Sequence, residues 1–431
     1  MTLIDSLIIF VYLAGIVAIG VIYRGKQDNI DDYFTAQKGF AGVGGIVLVG
    51  LSLGATMFSA LSFVAYPSIV YTYGITAMSS LVCFPVAYCV LRFWFLPRYL
   101  AQPQSSPYDI IERRFGVPTR LVASGLFVFL RLCWMAALIY APVIVVMASA
   151  NLGQEWFWPL VLLIGLLSTL YTVVGGIRGV IITDAIQLLL IMAVLLGTIC
   201  YVLFKVPLTL SEVSNHLQYR TNLLELNWSF DPTVTITVWA MVIGAFMQNM
   251  STFTADQMSL QRYLTTGGLK SAASAFGTSM AAMVVVLLML AAVGLTVGTW
   301  YDLHPDPLLP NDADKVFPYF VATQLPVGFM GIVIAAILAA TMSSITSGIN
   351  ALSGSLLNDF APLSERVEPG RLLNYARWTC AGIGLVATIV AGFIQGMGTL
   401  FDIMNAFYGI FLGPLLACMF CTVAKIRINA R

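Results

Sequence analysis

Apolar runs of about 20 residues recur along the whole chain, and no other feature limits its fold so tightly. They cover 5–23, 42–72, 76–97, 119–148, 156–174, 180–204, 232–254, 270–299, 320–356, 373–394 and 399–422. Each is long enough to cross a hydrocarbon core, where a backbone must satisfy its own hydrogen bonds. The runs therefore predict an all-α integral membrane protein of about 11 transmembrane helices. Composition agrees: 59% of the 431 residues are hydrophobic and only 10% are charged, against about 25% charged in a soluble domain. So few charges cannot cover a water-facing surface, which makes the lipid bilayer the expected surroundings. A net charge of +1 offers no basic face to a nucleic acid. All seven cysteines lie within apolar runs, which favours free thiols over disulfides in aqueous loops. His216 and His304 fall between runs, and no nucleophile–base spacing or metal-ligand cluster stands out, so neither an enzyme nor a bound cofactor is expected.

The first run is not a secretory leader. Arg24 and Lys26 follow it instead of preceding it, and no small-residue cleavage pattern is present. Read as a retained helix, it puts the N-terminus outside. Seventeen lysines and arginines, Arg178 and Arg262 among them, then fall on the inner side; Lys205, Arg220 and Lys315 fall outside, and Arg131 lies within the membrane. That asymmetry predicts a cytoplasmic C-terminus and residence in the plasma or inner cell membrane. No linker divides residues 1–431, which read as one transmembrane domain.

Two runs differ from ordinary spanning helices. Small and hydroxyl residues crowd 50–73, and 242–256 adds Gln248, Asn249 and Asp256 to a similar mixture. Such residues weaken a helix at membrane depth. The two stretches lie in the second and seventh runs, five apart. Matching breaks point to an inverted repeat around a central site, with 5–23 as an accessory helix, 42–204 as the first five-helix half and 232–422 as the second. Alternatively, small residues there simply let helices approach closely.

Three polar groups intrude into the apolar runs. Asp184 lies about five residues into the sixth run, roughly 8 Å deep at 1.5 Å per residue. A carboxylate there needs a cation or a line of donors, and either a bound cation or Arg178 could supply it. In the ninth run Ala340, Ser343, Ser347, Asn350 and Gly354 share one helical face at a comparable depth. A hydroxyl stripe of this kind is either packing glue between helices or a set of oxygens for a hard cation. Arg131 lies roughly 16 Å into the fourth run. Its planar fork suits the carboxylate of an organic solute; otherwise it pairs with a protein carboxylate such as Asp402, or with carbonyls freed at a break.

Several segments resemble one family. Gly-Gly-Ile-Arg-Gly-Val-Ile-Ile-Thr-Asp-Ala-Ile-Gln at 175–187 is similar to the signature of the sodium:solute symporters, and Gln261-Arg262-Tyr263-Leu264 resembles a loop of that family. Asp31-Asp32-Tyr33-Phe34, Ser105-Ser106-Pro107-Tyr108, Glu112-Arg113-Arg114-Phe115-Gly116 and Tyr140-Ala141-Pro142 resemble further family segments, the last one shared by its monocarboxylate, multivitamin and iodide members. The resemblance implies the leucine-transporter fold. It also implies a first sodium held by Ala55, Phe58, Ala340, Ser343 and Ser344, and a second held by Asp184, Ser343, Thr346 and Ser347 in the manner of sialic-acid members. It places Arg131 near a substrate-binding arginine of those members; Ser59, Ser62, Gln248 and Asn249, near the two breaks, complete the expected substrate contacts. Met57 departs from the hydroxyl of sialic-acid members, and many members continue for two further helices beyond the position of Arg431. The expected function is therefore sodium-coupled import of a small, carboxylated organic solute by alternating access, with sodium as the only metal. A neutral sugar or amino acid as cargo and a solute-sensing module remain the alternatives, and an oligomeric state does not follow from the sequence.

Overall fold

The structure is a computed structural model that describes residues 2–23, 30–36, 39–101, 106–150, 152–205, 225–311, 313–360, 369–394 and 413–425. Regular structure among these residues is helical throughout. Among the described residues seven helices are long and apolar enough to cross a membrane, or eight when the bent pair at the second run is counted as one span.

Helix α1 (Leu3–Ile22) starts at a capping box in which Thr2 and Asp5 satisfy each other's backbone N–H groups. A short α2 (Ile30–Thr35) precedes α3 (Val43–Met57), whose end is abrupt. Phe58 leaves helical geometry for extended backbone, and the Ser59 side chain accepts from the Ser62 N–H to start α4 (Ala60–Tyr73). The axis turns by 66° across this break. The break foreseen within 50–73 therefore falls at Phe58, where the carbonyls of Thr56 and Phe58 lose their places in the helical ladder.

Helix α5 (Ile75–Tyr99) passes through short 3₁₀ and π segments, α6 (Tyr108–Phe115) packs on the next helix, and that helix, α7 (Val117–Ala150), carries Arg131. Helix α8 (Phe157–Lys205) is 49 residues long, roughly 74 Å at 1.5 Å per residue and far more than one bilayer crossing. Gly176 interrupts it with a φ of 55°, between the expected runs 156–174 and 180–204.

The second break differs from its expected form. Helix α9 (Val238–Ala255) continues unbroken through Gly244, Gln248 and Asn249, and only Asp256 is extended. The Asp256 side chain accepts from the Met258 N–H and caps α10 (Gln257–Leu264), a buried half-helix where the sequence suggests an inner loop. Helix α11 (Leu269–Leu303) packs on α3 and α4.

The run 320–356 is not one helix. Helix α12 (Ala313–Thr323) stops, Gly328 adopts a left-handed φ of 90°, and α13 (Phe329–Ser355) begins there. Asp5 Oδ1 accepts from the N–H groups of Gly328 and Gly331 at 3.1 and 2.9 Å, so α1 caps α13 from a neighbouring helix. Gly331 permits the approach, since a Cβ there would sit 2.6 Å from the Asp5 Cα. Helix α13 is buried without interruption from Val333 to Ser355, and its neighbours include α1, α3, α7, α8 and α14 (Pro369–Gly392). Its hydroxyl stripe thus meets protein and not lipid. Helix α15 (Gly413–Val423) forms the end of the run 399–422; the rest of that run, with Asp402, and His216 lie outside the described residues.

Candidate functional site

The break at Phe58 brings the oxygens expected for a first cation together. Ser344 Oγ donates to the carbonyls of Phe58 and Thr56 at 3.0 and 3.3 Å. Ser343 Oγ reaches the carbonyls of Ala340 and Ala55 at 3.1 and 3.4 Å. Both serines are fully buried. In this arrangement the hydroxyls donate to the same carbonyls that a hard cation would share with them. The C-terminal end of α3 adds the negative pole of its helix dipole.

One turn further along α13 the polar cluster continues. Ser347 Oγ lies 3.2 Å from Thr56 Oγ1 and donates to Asp184 Oδ2 at 3.3 Å. Ser52 Oγ reaches the same Asp184 oxygen at 2.8 Å. Thr346, grouped with these on the family pattern, donates instead to the Ser343 carbonyl at 3.1 Å. The cation opposite Asp184 is one that the sequence reading assigned to an inner loop. Arg262 Nη2 lies 2.8 Å from Asp184 Oδ2 and also meets Ser347 Oγ, and its Nε donates to Ser52 Oγ at 2.9 Å. Both members of this ion pair are completely buried. Arg178 is occupied elsewhere, with Asp32 at 2.9 Å and the Ala36 carbonyl at 3.2 Å. Asp184 Oδ1 has no hydrogen-bond donor among the described residues. A buried carboxylate oxygen left so is one that a small cation could satisfy.

Above the break lies a cavity of about 330 Å³, within the range of small-molecule sites. Ser59 and Ser62 line it from the break, Arg131 and Trp134 from α7, and Gln248, Asn249 and Thr252 from α9. All five residues expected to contact substrate thus border one space, with Met57, Phe84, Met283 and Leu287 making the remaining wall largely apolar. The Arg131 guanidinium stacks 4.4 Å from the centre of the Trp134 ring. Its carboxylate partner is Asp256, where the sequence suggested Asp402.

The residues that sequence reasoning missed, Ser52, Thr56, Asp256 and Arg262, all flank the breaks. Ser52 and Thr56 stand four apart on α3, a spacing that shares one face. Asp256 before a short polar–apolar stretch is an N-cap signal that would have placed Arg262 on a helix.

A many-helix membrane body, an oxygen cluster at a helix break and a cavity lined by several helices define the class of helical solute carriers. The chain belongs to the sodium:solute symporter family, which it matches over residues 33–431. It is 28% identical over 431 residues to the sodium/sialic acid symporter NanT of Aliivibrio fischeri, covering 98% of this chain and 83% of that one. It is 28% identical over 436 residues to the sodium/sialic acid symporter SiaT of Proteus mirabilis, covering 99% and 86%. Among solved structures it is similar to a Na+-coupled sialic acid symporter in a substrate-bound outward-open state, with a TM-score of 0.87, 26% identity, and coverage of 100% of this chain and 88% of that chain. These relatives are transporters.

Proposed function

We propose that this protein imports a small carboxylated organic solute together with sodium ions by alternating access. The observation that carries this reading is the convergence of the Phe58 and Thr56 carbonyls with the Ser343 and Ser344 hydroxyls, directly beneath a cavity bordered by Arg131. Ala55, Phe58, Ala340, Ser343 and Ser344 would hold the first sodium. Asp184 with Ser347 and Ser52 would hold a second, and Thr346 and Ser343 stand beside it on α13. Arg131 would grip the solute carboxylate, with Ser59, Ser62, Gln248 and Asn249 as further contacts. Each sodium entering a negative interior gains about 2.3 kcal/mol per 100 mV. Two sodium ions with one monoanion would therefore carry one net charge.

In this reading the chain is a single transporter domain of eleven spans. Helix α1 is the accessory helix, 42–204 and 232–422 are two inverted halves broken at Phe58 and Asp256, and α8 counts as two spans divided at Gly176. The N-terminus lies outside, the C-terminus lies in the cytoplasm, and the membrane is the plasma or inner cell membrane. Rocking of one helix bundle about the midplane would expose the cavity to either side in turn. Sialic acid is the first solute to test, because the sodium/sialic acid symporters are similar over nearly the whole chain. Met57 in the cavity wall favours a less hydroxylated anion.

A neutral cargo has one observation in its favour: the pairing of Arg131 with Asp256 leaves the cavity wall without net charge. Reconstituted vesicles separate the readings. Uptake of a carboxylated solute should collapse when sodium is replaced by choline. Equal uptake in choline would refute sodium coupling, and uptake confined to neutral sugars or amino acids would refute the carboxylate.

A further inference from the structure

Helix α10 is pinned at both ends by buried ion pairs, and the partners are the two groups assigned above to the solute and to a sodium. At its N-terminal end Asp256 Oδ1 caps the helix by accepting from the Met258 N–H at 2.9 Å, while Asp256 Oδ2 pairs with Arg131 on α7. Six residues later, roughly 9 Å along the axis, Arg262 pairs with Asp184 on α8 at 2.8 Å. Every residue from Gln257 to Tyr263 is buried between these anchors.

Resting on the symport reading, we infer that α10 is a coupling element held by two stand-ins. The Asp256 carboxylate occupies the solute carboxylate's place on Arg131, and the Arg262 guanidinium, seated on Asp184 Oδ2, supplies the positive charge that sodium would bring to Oδ1. Charge accounts for both exchanges. Asp184 and Arg262 together are neutral, so a sodium ion added to that dry cluster would leave a net positive charge uncompensated, at large desolvation cost. Sodium arriving at the donor-free Asp184 Oδ1 therefore displaces Arg262. A solute carboxylate arriving at Arg131 likewise repels and displaces Asp256. Each ligand releases one end of α10, and only the two together release both, so binding of one favours binding of the other.

The face that α10 turns to α13 is suited to opening. Gln261 Oε1 and both side-chain polar atoms of Asn350 are buried without hydrogen-bond partners among the described residues. Gln261 Nε2 reaches the Asn350 carbonyl at only 3.4 Å. Unpaired buried groups of this kind raise the energy of the closed interface and gain water when it parts.

Equilibrium binding of radioactive sodium alone to the purified full-length protein tests the inference. The component assigned to the second site is the one that Asp184→Asn removes. Arg262→Gln should tighten that component by about tenfold, the scale for losing one well-paired tethered competitor. Arg262→Lys keeps the charge and should stay close to wild type. Asp256→Asn retains an oxygen for the N-cap, frees the far end of α10, and should also tighten sodium binding although it lies at the other anchor. The inference is overturned if Arg262→Gln leaves sodium binding unchanged or weakens it, or if Asp256→Asn has no effect. Should Arg262→Gln not yield folded protein, Asp256→Asn decides alone. Wild-type protein that binds no sodium would instead overturn the symport reading on which this inference rests.

Discussion

Replacing Ser344 by Ala isolates the site proposed for the first sodium, because the hydroxyl has two defined partners. Its Oγ donates to the carbonyls of Phe58 at 3.0 Å and Thr56 at 3.3 Å in a fully buried setting. Alanine leaves both carbonyls one donor short, which should cost about 1–3 kcal/mol of stability without sodium. With sodium, the variant also loses one oxygen ligand. An interaction with a charged group is worth about 1.5–3 kcal/mol, and 1.4 kcal/mol is a factor of ten, so sodium half-saturation should rise roughly 10- to 100-fold. The assay is the melting temperature of purified protein titrated with sodium chloride at constant ionic strength with choline chloride, which reads binding through linkage and needs no solute. Thr341→Ala is the control. Thr341 lies on the same helix with a buried hydroxyl that has no hydrogen-bond partner among the described residues, so its loss should leave sodium half-saturation within about twofold of wild type. An unshifted half-saturation in Ser344→Ala, or an equal shift in Thr341→Ala, would refute the assignment of this oxygen cluster to sodium.

Three further outcomes follow from individual contacts. Arg131→Met strands the buried Asp256 carboxylate and should lower stability by about 3–5 kcal/mol; adding Asp256→Ser, which keeps an N-cap, should restore most of the melting temperature but no carboxylate uptake. Gly294→Ala would put a Cβ 2.4 Å from the Pro67 carbonyl oxygen where α11 meets α4, and the forced separation should cost about 1–3 kcal/mol in denaturation measurements. Asp5→Ala removes the acceptor for the Gly328 and Gly331 N–H groups and should destabilise by about 0.5–2 kcal/mol, whereas Asp5→Asn, which keeps an oxygen acceptor, should cost less.

Legibility in the sequence followed the range of the interaction. Apolar runs report a local requirement, the satisfaction of backbone in lipid, and most of them match observed helices closely. The first break was visible because Gly54, Thr56, Ser59 and Ser62 weaken the helix on either side of Phe58, where it unwinds. The second was placed too broadly at 242–256: small residues such as Gly244 are tolerated within α9, and the interruption is set by the Asp256 cap. The run 320–356 hid a turn because apolar content does not report the left-handed backbone of Gly328. Arg131 and Asp184 stood out as charges in apolar runs, yet their partners did not. Asp256 lies 125 positions from Arg131 in the chain, and Arg262 lies 78 from Asp184. Arg262 follows an apolar run with the basic, polar look of an inner loop, and only the fold carries it into the core.

Sodium influx driven by an external carboxylate tests the central claim most directly. Proteoliposomes containing the protein and preloaded with choline chloride are placed in radioactive sodium, and sialic acid is added outside, followed by simpler monocarboxylates. The account predicts that at least one of these anions accelerates sodium entry, and that Ser344→Ala and Arg131→Met/Asp256→Ser both abolish the acceleration at moderate sodium. Carboxylate uptake that proceeds without any sodium entry would contradict it.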